Sequence, residues 1–173
     1  MKPPVISIAG KSKNGKTTLI CNLVTKLKEK GYQVATIKHD VHGFDIDKPG
    51  KDTWKHGEAG ADTVVISSPY KMAMIEQLNQ ERSIEQIQEK IGDGVDIVLT
   101  EGYKRGPKPK IEVIRDKGDN IPLCSNEDNL YALACENLQE VKKMLPENLR
   151  NISVFSWDDY DGIINFIEES LVL

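Results

Sequence analysis

The chain has 173 residues, of which 39% are hydrophobic and 29% are charged, and this composition predicts one soluble globular domain over residues 1–173. Its net charge of −4 argues against nucleic-acid binding, which usually requires a basic excess. No apolar stretch approaches the ~20 residues of a membrane span, no signal peptide is recognisable, and three widely spaced cysteines predict free thiols, so we expect a cytoplasmic protein with no membrane partner.

The first predicted elements are a strand over residues 4–9 and a helix over residues 16–30. Between them lies the pattern G-x-x-x-x-G-K-T, at residues 10–17. A strand, a glycine loop and a helix in this order are what a phosphate-binding loop requires. Inward-pointing backbone N–H groups and the positive end of the helix would hold phosphates there.

Within this loop, Lys16 is the predicted catalytic cation that reaches the β- and γ-phosphates, and the Thr17 hydroxyl is a predicted Mg²⁺ ligand. Lys11 is either a lysine that reaches a partner's nucleotide, as in dimeric ATPases of the MinD class, or an exposed loop lysine, which we favour. The predicted nucleotide-binding residues are Gly10, Lys11, Ser12, Lys13, Asn14, Gly15, Lys16, Thr17 and Thr18.

A second strand is predicted over residues 33–38, which makes a right-handed parallel βαβ unit with the first. The polar segment that follows contains His39, Asp40 and His42. Asp40, at the carboxyl end of the strand, is a predicted catalytic residue that binds an Mg²⁺ water or positions the attacking water. His39 and His42 contact substrate or phosphate, or are structural. A dedicated zinc or iron site is not favoured, because loop geometry does not constrain the ligands.

The middle of the chain predicts a short helix over residues 53–61, capped by Asp52 or Thr53, and an antiparallel hairpin of strands 63–67 and 71–76. Ser83 and Gln86 fit a capping box for a helix over residues 83–91. An exposed edge of the hairpin would offer a route to a homodimer.

A central strand over residues 95–100 ends at Glu101 and Gly102. Ligands of open α/β sheets bind beyond the carboxyl ends of the strands, so we expect Glu101 to face the phosphate loop, as a catalytic residue that holds Mg²⁺ directly or through water. Gly102 would let the backbone approach the γ-phosphate. The basic loop over residues 104–110 either binds an anionic partner or is simply solvated.

The last third of the chain predicts strands over 111–115, 130–134 and 152–155, helices over 138–145 and 162–171, and a turn-rich segment over 120–128. In that segment, Asn126 and Asp128 either read a guanine edge or form an ordinary Asx turn. The predicted fold is a doubly wound, mostly parallel α/β sheet of the P-loop NTPase type with one antiparallel hairpin.

Five segments of the chain are distinctive in combination: the phosphate loop, K-H-D at 38–40, F-D-I-D-x-P-G-K-D-T-W at 44–54, G-x-A-G-A at 57–61 and V-L-T-E-G-Y-K at 98–104. Together they resemble the MobB family of molybdopterin-guanine dinucleotide biosynthesis adaptor proteins. The resemblance implies a GTP-binding, weakly hydrolysing homodimer that uses Mg²⁺ and supports the MobA guanylyltransferase, with molybdopterin as a further ligand. It implies that the 45–52 segment serves the pterin or the dimer, and the choice of guanine rests on the resemblance alone.

The predicted reaction is slow hydrolysis of the β–γ bond, with Lys16, loop amides and Mg²⁺ meeting the developing charge. No catalytic glutamine or arginine finger is recognisable in the sequence. Two other functions stay open: a P-loop kinase or ligase acting on a small metabolite, and a nucleotide-gated binding module without significant hydrolysis.

Overall fold

The structure is a computed structural model that describes residues 2–115 and 121–171. Its residues form two compact units, one made of Met1–His39 with Gln88–Leu173 and the other of Asp40–Ile87. Residue 120, at the start of the predicted turn-rich segment, lies outside the described residues. The single-domain assignment stays a prediction.

Eight strands and five helices make up the described chain, and most of their ends lie within two residues of the predicted ones. The strands are β1 (Val5–Ala9), β2 (Val34–Lys38), β3 (Thr63–Ser67), β4 (Met72–Glu76), β5 (Ile97–Glu101), β6 (Lys110–Ile114), β7 (Leu130–Cys135) and β8 (Ser153–Ser156). The helices are α1 (Lys16–Glu29), α2 (Asp52–Glu58), α3 (Ile84–Ile91), α4 (Leu138–Met144) and α5 (Tyr160–Leu171).

The first unit is built on a six-stranded sheet in the order β2-β5-β1-β6-β7-β8, in which all neighbouring strands are parallel. This arrangement confirms the predicted fold class. β1 pairs with β5 on one side and with β6 on the other, so the loop that follows β1 lies where the two halves of the sheet meet. Ligands of such folds bind at this position.

The hydrophobic core of this unit lies on both faces of the sheet. On one face α1 and α5 pack through residues such as Leu23 and Ile163 against Ile6 and Leu99. On the other face α4 packs through Val141 against a smaller apolar cluster. All five residues of β1 are buried, as expected for a central parallel strand, so the phosphate loop starts from a rigid base.

The second unit contains the two-stranded antiparallel sheet of β3 and β4, in the register Thr63↔Glu76 to Ser67↔Met72, which confirms the predicted hairpin. Its surface is unusually apolar, because Val65, Ile66, Met72 and Met74 are between 44% and 68% exposed. Val65, Met72 and Met74 lie on the same side of this sheet, because Val65 pairs with Met74 and side chains alternate along a strand. An apolar surface exposed in this way is typical of a contact surface.

Two predicted helix caps have different outcomes. The capping box is confirmed, since Ser83 N donates to Gln86 Oε1 at 2.9 Å and Gln86 N donates to Ser83 Oγ at 3.3 Å. The cap of α2 was wrong: Lys51 is its N-cap, without a side-chain cap hydrogen bond. Asp52 lies instead in the first turn, where a carboxylate favours the helix dipole, and Thr53 Oγ1 hydrogen-bonds to Asp47 at 3.2 Å.

Candidate functional site

The loop between β1 and α1 is shaped by two glycines in left-handed conformations. Gly10 has φ 135°, and a Cβ there would lie 2.5 Å from the Val113 carbonyl oxygen of β6, so only glycine fits. Gly15, with φ 90°, is the N-cap of α1. The buried Asn14 side chain donates to the same Val113 oxygen at 3.2 Å. The loop is therefore fastened to the neighbouring strand before any ligand binds.

Lys16 folds back across this loop, and its ammonium group donates to the Lys11 carbonyl oxygen at 2.8 Å. Burial is the main cause that lowers the pKa of Lys16; nearby Glu101 opposes this shift, and Lys104 and Lys38 add to it. A partly desolvated cation among other cations gains strongly from a bound anion. This is the electrostatic situation that a phosphate group would relieve.

Thr17 and Glu101 come together as the sequence predicted. The Thr17 hydroxyl lies 3.1 Å from Glu101 Oε1 and 3.0 Å from Oε2. They meet because β5 pairs directly with β1, with Ile8 opposite Glu101, so the end of β5 lies beside the loop. A hydroxyl and a carboxylate are the hard oxygen donors that Mg²⁺ prefers, and this donor set therefore fits the ion.

A cleft of about 430 Å³ lies over the phosphate loop and is large enough for a small-molecule ligand. It is lined by three cations and one carboxylate, which favours an anionic ligand. The lining residues are Ser12, Lys13, Gly15, Lys16, Thr17, Thr18, Glu101 and Arg115. Of the other predicted loop residues, Gly10 and Asn14 hold the loop in shape and Lys11 anchors the Lys16 side chain.

Gly102 and His39 join the carboxyl ends of β5 and β2. Gly102 has φ 108°, and a Cβ there would lie 2.8 Å from the His39 carbonyl oxygen. The His39 N–H donates to the Glu101 carbonyl oxygen at 2.9 Å, and its ring stacks on Tyr103 with centroids 4.6 Å apart. His39 therefore has a structural part in holding Glu101, which is one of the two roles predicted for it.

Asp40 belongs to the second unit, where it is exposed and its carboxylate accepts the His42 N–H at 3.0 Å. Its role toward Mg²⁺ or water stays a prediction. Within residues 2–115 and 121–171, no group of three or more His, Cys, Asp or Glu side chains is placed to hold a metal ion. No helix in the same ranges combines the length and apolar character needed to cross a membrane.

Asn126–Asp128 form a single turn of 3-10 helix, closed by a capping box between Ser125 and Asp128 rather than by the predicted Asx turn. The Asp128 carboxylate accepts hydrogen bonds from the N–H and the hydroxyl of Ser125, and it forms an ion pair with Arg105 at 2.6 Å. The Asn126 side chain donates to the Asn148 carbonyl oxygen. The turn precedes β7, so it lies at the amino ends of the parallel strands, whereas the phosphate loop lies at their carboxyl ends. A base-reading role beside the phosphate loop is therefore wrong for this turn.

Arg115 is the site residue that sequence reasoning missed. It follows β6, lines the cleft, donates from Nε to Glu136 Oε1 at 2.7 Å, and lies over the Trp157 ring at 4.8 Å. In the sequence it was only the last residue of a predicted strand. The available signal was its place at a carboxyl strand end, which gains meaning once the strand order is known.

Comparisons with known proteins show the family of this chain. Residues 5–136 match the family model described as MobB, molybdopterin guanine dinucleotide synthesis protein B. The molybdopterin-guanine dinucleotide biosynthesis adapter protein of Haemophilus influenzae is 32% identical over 143 residues, covering 82% of this chain and 80% of that protein. The adapter protein of the same description from Escherichia coli is 28% identical over 170 residues, covering 96% and 92%.

A crystal structure of molybdopterin-guanine biosynthesis protein B (mobB) superposes with a TM-score of 0.69 at 27% identity, covering 96% of this chain and 99% of that one. The similarity thus extends well beyond the phosphate loop. It includes the 45–52 segment and the end of β5, both of which lie inside the matched residues.

Proposed function

This chain belongs to the MobB family, and from that premise we propose that it is a GTP-binding adapter in molybdopterin guanine dinucleotide biosynthesis. The family description and the names of the curated relatives support the pathway. The observation that carries nucleotide binding is the meeting of Lys16, Thr17 and Glu101 at one end of the cationic cleft. The preference for guanine rests on the family resemblance, because phosphate-loop contacts treat ATP and GTP alike.

The proposed ligand arrangement places the triphosphate over the loop. Lys16 would exchange its hydrogen bond to the Lys11 carbonyl for phosphate oxygens, and the amides of the loop would supply further donors. Thr17 and Glu101 would hold Mg²⁺, directly or through water. Mg²⁺, when bound, supplies neutralisation of the β- and γ-phosphate charge.

We propose slow hydrolysis of the β–γ bond as the accompanying reaction. Lys16 meets the charge that develops on the phosphate oxygens, and Glu101 is held in place by the backbone of His39. Arg115, which is the cation on the β6 side of the cleft, is tied to Glu136 rather than directed freely toward phosphates. A site in which Lys16 meets the phosphate charge while Arg115 is held by Glu136 supports slow basal turnover, which a partner can raise.

The proposed partners are the MobA guanylyltransferase and molybdopterin, both of which follow from the family. Steady-state GTP hydrolysis, measured with the isolated chain and again with MobA, tests the proposal. We expect slow turnover alone and a rise with the partner. Fast turnover by the isolated chain would contradict the adapter function, and transfer of phosphate to an added small metabolite would instead indicate a kinase.

We also propose that the chain forms a homodimer through the β3–β4 sheet, whose apolar side chains are exposed. Light scattering of Met74→Lys tests this, because Met74 is 44% exposed on β4. Met144→Lys is the matched control, since Met144 is equally exposed on α4. A dimer that persists in Met74→Lys, or a monomeric wild type, would contradict the proposal.

A further inference from the structure

The wall of the cleft on the β6 side is made by an arginine whose position is fixed by two neighbours. Arg115 Nε donates to Glu136 Oε1 at 2.7 Å, and its guanidinium carbon lies 4.8 Å from the centroid of the Trp157 ring. The Arg115 side chain is 36% exposed, and the residue lines the cleft beside Lys16. An arginine that is hydrogen-bonded through Nε and lies over an aromatic ring is held at a defined position in the wall of the cleft.

These three side chains come from the carboxyl ends of three consecutive strands of the sheet. Arg115 follows β6, Glu136 follows β7 and Trp157 follows β8, and the three strands are neighbours in that order. The proposed metal-binding pair of Thr17 and Glu101 lies on the other side of β1, at the end of β5. A nucleotide whose metal-bound phosphates face β5 would therefore extend its nucleoside toward β6, β7 and β8.

We propose that Arg115 is the nucleobase platform of the cleft, an inference that rests on the proposed nucleotide binding. Trp157 covers one face of the guanidinium, and the nucleobase stacks on the other face. Bases stack on arginine planes as they do on aromatic rings, and such stacking tolerates any base. Glu136 acts as a positioning residue that keeps the guanidinium from turning toward the phosphates.

Inorganic tripolyphosphate separates this role from a phosphate contact, because it has the charges of a nucleotide tail but no base. Calorimetric titrations of wild type, Arg115→Ala and Arg115→Lys with GTP and with tripolyphosphate, all with Mg²⁺, make the comparison. We expect Arg115→Ala to weaken GTP binding by about 5- to 100-fold and to leave tripolyphosphate binding within about threefold. Arg115→Lys keeps the charge without the plane, so it should lose most of the GTP affinity too.

Arg150→Ala is the matched control, because Arg150 is 66% exposed and pairs with Glu147 away from the cleft. It should change neither affinity. A second readout uses Trp54→Phe, which leaves Trp157 as the remaining tryptophan of the two in the chain. GTP should change the Trp157 emission, whereas tripolyphosphate should not.

An equal loss of both affinities in Arg115→Ala, restored by Arg115→Lys, would make Arg115 a phosphate contact and overturn the inference. Unchanged GTP binding in both variants would overturn it as well. In either case wild type still binds, so nucleotide binding itself survives. A wild type that binds neither ligand would overturn the proposed function and the inference together.

Discussion

The Thr17 hydroxyl hydrogen-bonds to both carboxylate oxygens of Glu101, at 3.1 and 3.0 Å, and thereby joins the first turn of α1 to the end of β5. Two oxygen ligands of the kind that Mg²⁺ selects are thus brought together by the pairing of β5 with β1. Their contact explains why a short motif near the amino end and a glutamate 84 residues later belong to one site.

Removing either partner should weaken the Mg²⁺-dependent part of GTP binding. We expect Thr17→Val and Glu101→Gln each to lower GTP affinity in Mg²⁺ by about tenfold or more, which corresponds to ~1.4 kcal/mol. Titrations with and without Mg²⁺ measure the effect. Thr18→Ala is the control, since Thr18 lines the same cleft and has no such contact with Glu101. Mg²⁺ dependence that survives in both variants would contradict the assignment.

The lowered pKa of Lys16 predicts that GTP affinity falls as the pH rises toward the ordinary lysine value of 10.5. Burial disfavours the charged lysine in the free protein, while bound phosphate favours it, so binding takes up a proton at alkaline pH. Calorimetry from about pH 7 to about pH 10, in two buffers of different ionisation enthalpy, measures both effects. Lys16→Arg stays protonated in this range, so if it binds, its affinity should not fall. Proton release on binding would contradict the prediction.

Glu112 predicts a pH dependence of stability. It is 2% exposed, and burial raises its pKa, although N–H groups of Leu123 and Cys124 donate to it at 2.8 Å. The folded state therefore holds the proton more tightly than the unfolded state. Its contribution to stability is complete below the ordinary pKa of 4.5 and is lost as the pH rises through the folded value.

Glu112→Gln removes this titration. The free energy of unfolding of the variant, relative to wild type, should therefore rise between about pH 4 and about pH 7. Urea unfolding of both proteins at each pH measures the difference. A relative stability that stays constant, or falls with rising pH, would show that the hydrogen bonds from the two amides outweigh burial.

The cysteines predict selective thiol chemistry. All three are free; Cys21 is exposed, whereas burial raises the pKa of Cys124 to about 12 and that of Cys135 to about 11. Because the thiolate is the reactive form, a disulfide reagent should modify one thiol per native chain rapidly and all three after unfolding. Cys21→Ser should abolish the rapid phase. A rapid phase that persists in Cys21→Ser would contradict this.

Much of the site followed from the sequence because the carboxyl ends of neighbouring parallel strands lie at the same end of the sheet. The loop after one strand is therefore close to an acidic residue that ends the neighbouring strand. That reasoning predicted that Glu101 faces the phosphate loop, where the structure places it beside Thr17. Turn and strand signals predicted the hairpin of β3 and β4. Hydrophobic periodicity does not show at which end of the parallel strands a turn lies. The sequence therefore left both interpretations of the turn at Asn126 open.

Arg115, Glu136 and Trp157 could not be grouped from sequence, because each is separated from the next by 21 residues of the chain. Only the order β6-β7-β8 brings their strand ends together. The division into two units also escaped sequence analysis, since the polar segment that begins at residue 39 was interpreted as part of a single domain.

Calorimetric titration of wild type and Lys16→Ala with GTP and with ATP, both in Mg²⁺, is the decisive experiment for nucleotide binding in this cleft. We expect wild type to bind GTP at least about tenfold more tightly than ATP and Lys16→Ala to bind neither. Equal affinity for the two nucleotides would contradict guanine preference. Undiminished GTP binding by Lys16→Ala, or no binding by wild type, would contradict the assignment of the cleft as the nucleotide site.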